Sequence, residues 1–178
     1  MAYLSSAETA DFNALKARLQ ATDGNLYGTT SMDGANGVGT VFAITLGGAL
    51  TTLHTFSSGD GANPEGALLQ ATDGNFYGTT PYGGAYNYDG TIFQISMGLG
   101  PFVKTLPTFG KAGTMVTILG TDLTGATSVT FGGTAAAFTV VSRSAIAATV
   151  PTGASTGEIH VSTPNGALKS NVPFRVLP

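Results

Sequence analysis

Eleven residues occur almost unchanged twice in this chain, as QATDGNLYGTT at 20–30 and QATDGNFYGTT at 70–80. The similarity continues downstream, where Gly39–Ile44 matches Gly90–Ile95 and Leu53–Phe56 matches Leu106–Phe109. A period of about fifty residues built from short β-like runs is typical of a propeller blade, and solenoids and helical repeats fit it less well. The sequence therefore predicts an all-β chain with two propeller-type repeats of four strands each, over residues 19–103.

Two blades do not close a ring, because propellers typically have between four and eight. Their exposed faces and sheet edges need a cover. Further copies of the chain, its own terminal segments, or additional blades in a longer parent chain could each supply one. We therefore expect a homo-oligomer or a part of a longer chain.

The segment before the first repeat has a helical pattern. Ser5 and Glu8 fit a capping box, and Phe12, Leu15 and Leu19 follow at helical spacing. This pattern predicts a short amphipathic helix over roughly residues 6–18. Residues 1–18 would then form an N-terminal cap, as expected of an atypical terminal repeat.

Residues 104–178 have a different period. Apolar residues alternate with polar or small ones in six short runs, separated by turns rich in glycine and proline. Strands at about ten-residue spacing, each with one buried face, predict an immunoglobulin-like β-sandwich.

Charge separates the two regions and excludes some partners. No Lys or Arg lies between Arg18 and Lys104, whereas that stretch contains six acidic residues. Nucleic acid is therefore excluded as a partner, because phosphate contacts depend on basic side chains. No apolar run is long enough to insert into a membrane, and the first residues lack the pattern of a secretory signal peptide.

The sequence resembles two known families, one in its C-terminal region and one in its repeats. The stretch with Gly113–Ile118, Gly120–Leu123, Val129–Gly133 and Thr163–Gly166 resembles the IPT/TIG immunoglobulin-like family over nearly all of residues 104–178. Asp60–Pro64 and Gln70–Thr80 resemble a bacterial tandem repeat of secreted proteins. These resemblances imply an extracellular or cell-surface location and a binding or spacing role.

A tyrosine-rich loop in the second repeat is the leading candidate site. Tyr82, Tyr86 and Tyr88 lie within seven residues, beside Asn87 and Asp89. Sugar rings stack on aromatic planes while amides and carboxylates bind their hydroxyls. The corresponding loop of the first repeat, residues 31–38, has no aromatic residue. The loop therefore predicts a noncatalytic module that binds polysaccharide or a cell-surface glycan. The competing interpretation is that these tyrosines cover a blade face.

Two further functions remain open. One is a structural spacer or assembly module without a small ligand. The other is a hydrolase, with or without assistance from calcium, that acts on an ester, lactone or glycoside. His54 is its catalytic candidate, although no G-x-S-x-G motif accompanies it. We expect no cofactor; calcium is an open alternative, for which the candidate ligands at acidic turns are Asp33, Asp60 and Asp89.

Overall fold

The computed structural model describes residues 15–85 and 89–178 of the 178-residue chain. Every regular element among them is a β-strand, which confirms the all-β prediction. The described residues contain no helix that is long and apolar enough to cross a membrane. The chain divides into two compact units, Met1–Ala71 with Asn75–Leu99, and Thr72–Gly74 with Gly100–Pro178.

The first unit holds two antiparallel sheets, one for each repeat. The four-stranded sheet has the order β1-β2-β3-β4 and the three-stranded sheet the order β5-β6-β7. Their strands are β1 (Leu15–Gln20), β2 (Leu26–Thr30), β3 (Thr40–Ile44), β4 (Leu50–Thr55), β5 (Leu69–Gln70), β6 (Phe76–Thr80) and β7 (Thr91–Ile95).

An Asp-Gly turn joins the first two strands of the first repeat, as the sequence predicts. Gly24 has a φ of 84°, which a side chain would disfavour. Asp23 accepts hydrogen bonds from the Asn25 backbone N–H at 3.0 Å and from the Tyr27 hydroxyl at 2.9 Å. Burial, with the hydrogen bond to Asp23 and its negative charge, raises the pKa of Tyr27. Asp23 therefore shapes the turn and also orients a core tyrosine.

The structure corrects two predicted elements. The prediction of a helix over residues 6–18 is wrong for its C-terminal end. The residues from Leu15 onward form β1, whose backbone hydrogen bonds are made with β2. The rest of that helix lies outside the described residues. In the part of the chain that the structure describes, the second repeat has three strands instead of four. The run predicted as its fourth strand forms only β8 (Lys104–Leu106), which pairs with a strand of the second unit.

Side chains from both repeats form a single core in the first unit. Tyr27 stacks on Phe76 with ring centroids 4.2 Å apart, and Phe56 meets Phe93 edge to face at 5.0 Å. A Cβ at Gly78 would overlap the Phe93 ring, so this strand position needs glycine. The contact between the two repeats, which we call the repeat interface, is thus an aromatic core.

The second unit contains two antiparallel four-stranded sheets and a parallel pair. The sheet orders are β13-β14-β10-β8 and β12-β11-β15-β16, and β9 pairs with β17. The strands besides β8 are β9 (Phe109–Gly110), β10 (Met115–Leu119), β11 (Ser128–Phe131), β12 (Thr134–Ala135), β13 (Phe138–Ser142), β14 (Ala145–Thr149), β15 (Ile159–Thr163), β16 (Gly166–Lys169) and β17 (Arg175–Val176).

The two four-stranded sheets share one apolar core. Ile118 and Ile146 enter it from one sheet, Phe131 and Ile159 from the other, and all four are fully buried. Phe131 meets Phe174 edge to face at 5.1 Å. The alternation seen in the sequence therefore does mark the buried face of each of these strands.

Candidate functional site

The loop between β6 and β7 presents Tyr82 to solvent on a fixed backbone. The Tyr82 residue is 54% exposed. Its carbonyl oxygen accepts hydrogen bonds from the Ala62 backbone N–H at 2.8 Å and from the Thr80 hydroxyl at 2.9 Å. Because this backbone is already held, binding of a ligand to the Tyr82 side chain requires little further ordering of the main chain.

Glycines allow this loop to fold tightly. Gly83 has a φ of 84°, and a Cβ there would lie 2.7 Å from the carbonyl oxygen of Ser58. At Gly90, with a φ of 71°, a Cβ would overlap the carbonyl oxygen of Thr80. The Gly84 N–H donates to the Ser58 carbonyl at 3.0 Å, so the loop is also held to the chain that follows β4.

A pair of threonine hydroxyls closes the base of the loop, and sequence reasoning missed it. Thr80 Oγ1 lies 2.9 Å from Thr91 Oγ1 and accepts the Thr91 backbone N–H at 3.0 Å. In the first repeat, Thr30 and Thr40 make the same two contacts at 2.9 and 3.1 Å. The signal was available, because both repeats carry threonine at the two ends of this loop.

The structure describes two of the five predicted ligand-binding residues. Asp89 is exposed and lies in the same loop as Tyr82. Tyr86, Asn87 and Tyr88 lie outside the described residues. The part of the loop that is described therefore offers one aromatic plane and one carboxylate to solvent.

His54, the catalytic candidate, belongs to a small polar cluster with Asp60 and Ser57. His54 Nε2 lies 2.9 Å from Asp60 Oδ2. The other oxygen, Asp60 Oδ1, accepts the Ser57 backbone N–H at 2.7 Å and the Ser57 hydroxyl at 3.1 Å. The His54 ring also meets Phe56 edge to face at 4.8 Å.

In this cluster the carboxylate lies between the serine and the imidazole. Activation of a serine nucleophile requires the imidazole to take the hydroxyl proton directly. Here the Ser57 hydroxyl donates to Asp60 instead. Burial alone would raise the pKa of Asp60, but the hydrogen bonds from Ser57 and the charge and hydrogen bond of His54 lower it. The arrangement therefore favours an ionised carboxylate that braces the turn after β4.

The structure describes all three calcium candidates. Asp60 already accepts hydrogen bonds on both oxygens, Asp33 also has an interaction partner, and Asp89 is exposed. Within residues 15–85 and 89–178, no three His, Asp or Glu side chains are grouped closely enough to hold a metal ion. Calcium binding at these aspartates remains a prediction.

The fold and the duplicated loops define an all-β repeat protein. The chain belongs to the family described as the Gloeobacter/Verrucomicrobia repeat, whose model matches residues 1–166. No curated protein matches the chain.

Solved structures resemble the chain only distantly. An auxiliary nutrient binding protein from Bacteroides ovatus is 26% identical over 43% of this chain and 20% of its own, with a TM-score of 0.38. A gamma-CGTase from Alkalophilic bacillus clarkii is 20% identical over 86% of this chain and 24% of its own, with a TM-score of 0.39. The chain therefore spans about a quarter or less of the length of these proteins.

Proposed function

We propose that this chain is a noncatalytic extracellular module that binds polysaccharide through the loop between β6 and β7. One observation carries the proposal. Tyr82 exposes its ring while hydrogen bonds from Ala62 and Thr80 hold its backbone. Because the backbone is already held, stacking of a ligand on this ring requires little further ordering of the main chain.

The chemistry of the loop suits a sugar. The apolar C–H face of a pyranose packs on an aromatic ring, and a neighbouring carboxylate accepts hydrogen bonds from its hydroxyls. Tyr82 and Asp89 supply these two groups, and in our proposal Tyr86, Asn87 and Tyr88 complete the surface. The IPT/TIG resemblance of residues 104–178 is consistent with a cell-surface setting for such a module.

Calorimetry and pull-down against a panel of soluble and insoluble polysaccharides test this proposal. We expect saturable binding that weakens about tenfold in Tyr82→Ala, the loss that corresponds to one stacking contact of about 1.4 kcal/mol. Met32→Ala is the matched control, because Met32 is the counterpart of Tyr82 in the first repeat and is 69% exposed. Thermal melting of both variants checks that they remain folded.

Two results would contradict the proposal. One is full binding by a variant with Tyr82, Tyr86 and Tyr88 all changed to alanine, and the other is no binding to any polysaccharide. The panel is repeated with calcium and with EDTA. Loss of binding in EDTA would assign calcium a role, with Asp33, Asp60 and Asp89 as the residues to substitute next.

A structural assembly module is the second candidate, and the repeat interface favours it. That interface joins the repeats through an aromatic stack and through paired hydrogen bonds between Thr22 and Gln70, both of 3.0 Å. Contacts of this kind can join further repeats in the same way. This candidate predicts a defined oligomer by light scattering and no response in the polysaccharide panel.

A further inference from the structure

Two equivalent side chains in the repeats have opposite exposure. Val41 in β3 is fully buried, whereas Ile92, its counterpart in β7, is 82% exposed. The two strands have nearly the same sequence, Thr-Val-Phe-Ala-Ile and Thr-Ile-Phe-Gln-Ile. The difference therefore comes from what covers each strand.

The contrast extends over a whole sheet face. In the first repeat this face is formed by Leu19, Tyr27, Thr29, Val41 and Ala43, which register places opposite one another. Thr29 is 1% exposed and Tyr27 is 2% exposed, and the other members also pack into the core. The second repeat covers this face, because Phe76 stacks on Tyr27 and the Gly66 carbonyl accepts the Thr29 hydroxyl at 3.4 Å.

The corresponding face of the second repeat is largely open to solvent. We call it the open face, and its members are Leu69, Tyr77, Thr79, Ile92 and Gln94. Leu69 is 57% exposed, Thr79 and Gln94 are exposed, and Tyr77 is half-buried. None of these five side chains is charged, and Leu69 and Ile92 add exposed apolar surface of the kind that contacts between proteins bury.

We propose that the open face binds the first repeat of a second copy of this chain, in a head-to-tail contact that reproduces the repeat interface. The occupant is indicated by the interface that the molecule already contains. There, the face of one repeat packs against Phe76 and Ile95 on the opposite face of the next repeat.

In this contact the first repeat of the second copy would take the place that the second repeat has in the repeat interface, and it has similar residue types there. Leu26 and Ile44 are the counterparts of Phe76 and Ile95, and both are half-buried, whereas Phe42, the counterpart of Phe93, is only 3% exposed, so the contact would involve Leu26 and Ile44. Gln20 is the counterpart of Gln70 and is exposed. Because the two surfaces in contact differ, the assembly is heterologous and grows into a ring or a chain of copies.

Light scattering of the full chain over a concentration series tests the proposal. We expect the wild type to form oligomers whose mass increases with concentration and Ile92→Lys to remain a monomer. Met115→Lys is the matched control, because Met115 is 71% exposed and lies in β10 of the second unit, which contributes to neither surface of the proposed contact. A monomeric wild type at all concentrations, or an Ile92→Lys variant that still associates, would overturn the proposal.

Mixing variants distinguishes a head-to-tail contact from two open faces that pair with each other. Ile92→Lys and Leu26→Lys each spoil a different surface, so their mixture should form dimers although neither variant associates alone. A mixture of Ile92→Lys and Ile92→Glu should stay monomeric. Association in that second mixture would show that open faces meet and would refute the head-to-tail contact. Neither experiment uses a polysaccharide, so their failure is separate from failure of the proposed binding.

Discussion

At the scale of single residues, Asp60 links the end of the first repeat to the start of the second. Its side chain joins His54 to Ser57, and its carbonyl oxygen accepts the Thr91 hydroxyl at 3.1 Å. These contacts hold the turn after β4. That turn also contacts the loop between β6 and β7, because the Ser58 carbonyl accepts a hydrogen bond from the Gly84 N–H. The charge on Asp60 therefore contributes to the shape of the loop base.

The lowered pKa of Asp60 predicts a loss of stability in acid. A carboxyl whose pKa is lower in the folded than in the unfolded state stabilises the fold above its unfolded pKa of about 3.9. That contribution is lost as the pH falls through the folded pKa. We expect the melting temperature of the wild type to fall more than that of Asp60→Asn when the pH is lowered from about 6 to about 3.

An NMR titration of the Asp60 carboxyl carbon checks the cause. His54→Gln removes one source of the effect and should move the Asp60 pKa back toward its ordinary value. An identical pH dependence in the wild type and Asp60→Asn would contradict the assignment.

Sequence reasoning found some of these residues and missed others for identifiable reasons. Asp23-Gly24 is a local signal, because the turn is built from neighbours in sequence, and Tyr82 stood out as one of a tyrosine cluster. The contacts of His54 with Asp60 and of Thr80 with Thr91 depend on the path of a loop. A path of that kind is set by tertiary packing, so residue types alone do not reveal the partner.

At the scale of elements, the Asp60–Pro64 segment connects the two repeats. Asn63 donates its backbone N–H to the Val38 carbonyl at 2.7 Å and its side-chain amide to the Ser31 carbonyl at 2.8 Å. Its φ of 57° lies in the left-handed region, which asparagine tolerates better than most residues. The segment therefore fastens the start of the second repeat to the loop of the first.

Substitution of Asn63 should separate the two contributions of this residue. Asn63→Gly keeps the backbone conformation accessible and removes the side-chain hydrogen bond, so we expect a loss of about 0.5–1.5 kcal/mol in the free energy of unfolding. Asn63→Ala should lose about 1–2 kcal/mol more, since alanine is also strained at positive φ. Urea unfolding measures both variants. Equal losses in the two would show that the left-handed conformation adds nothing.

The errors in predicted elements also come from long-range contacts. The helical spacing of Phe12, Leu15 and Leu19 competes with strand pairing, and β1 forms from Leu15 because β2 provides a partner. Lys104–Leu106 is a strand as predicted, but its partner is β10. Sequence periodicity indicates that a segment is a strand. Which sheet the strand joins depends on tertiary packing, such as the burial of Thr105, which is 4% exposed.

At the scale of the whole molecule, each of the two units has its own core. The core of the first unit contains Tyr27, Val41 and Phe76, and that of the second contains Ile118, Phe131 and Phe174. No residue belongs to both sets. A substitution in one core should therefore act first on its own unit.

Phe131→Ala should destabilise the second unit by about 3–5 kcal/mol, because it leaves a cavity beside Phe174. Hydrogen exchange should show faster exchange in β11 and β15 with little change in β2 and β3. Phe109→Ala is the control, since Phe109 lies in the same unit and is 53% exposed, and we expect its effect to stay within about 0.5 kcal/mol. If Phe131→Ala does not fold, Phe131→Leu gives a smaller loss in the same strands. Uniformly faster exchange in both units would contradict independent cores.

The residues of the second repeat that contact the first repeat, and the loop to which a further repeat could attach, lie close together in the sequence. Asp60–Pro64, the aromatic strand β6 and the loop that ends at Gly90 all lie within one stretch of about thirty residues. A gene duplication of the whole repeat of about fifty residues, which contains that stretch, would copy both the Asp60–Pro64 segment and the loop that the next such segment contacts. A longer protein could therefore arise from this unit by copying alone, without the invention of a new contact.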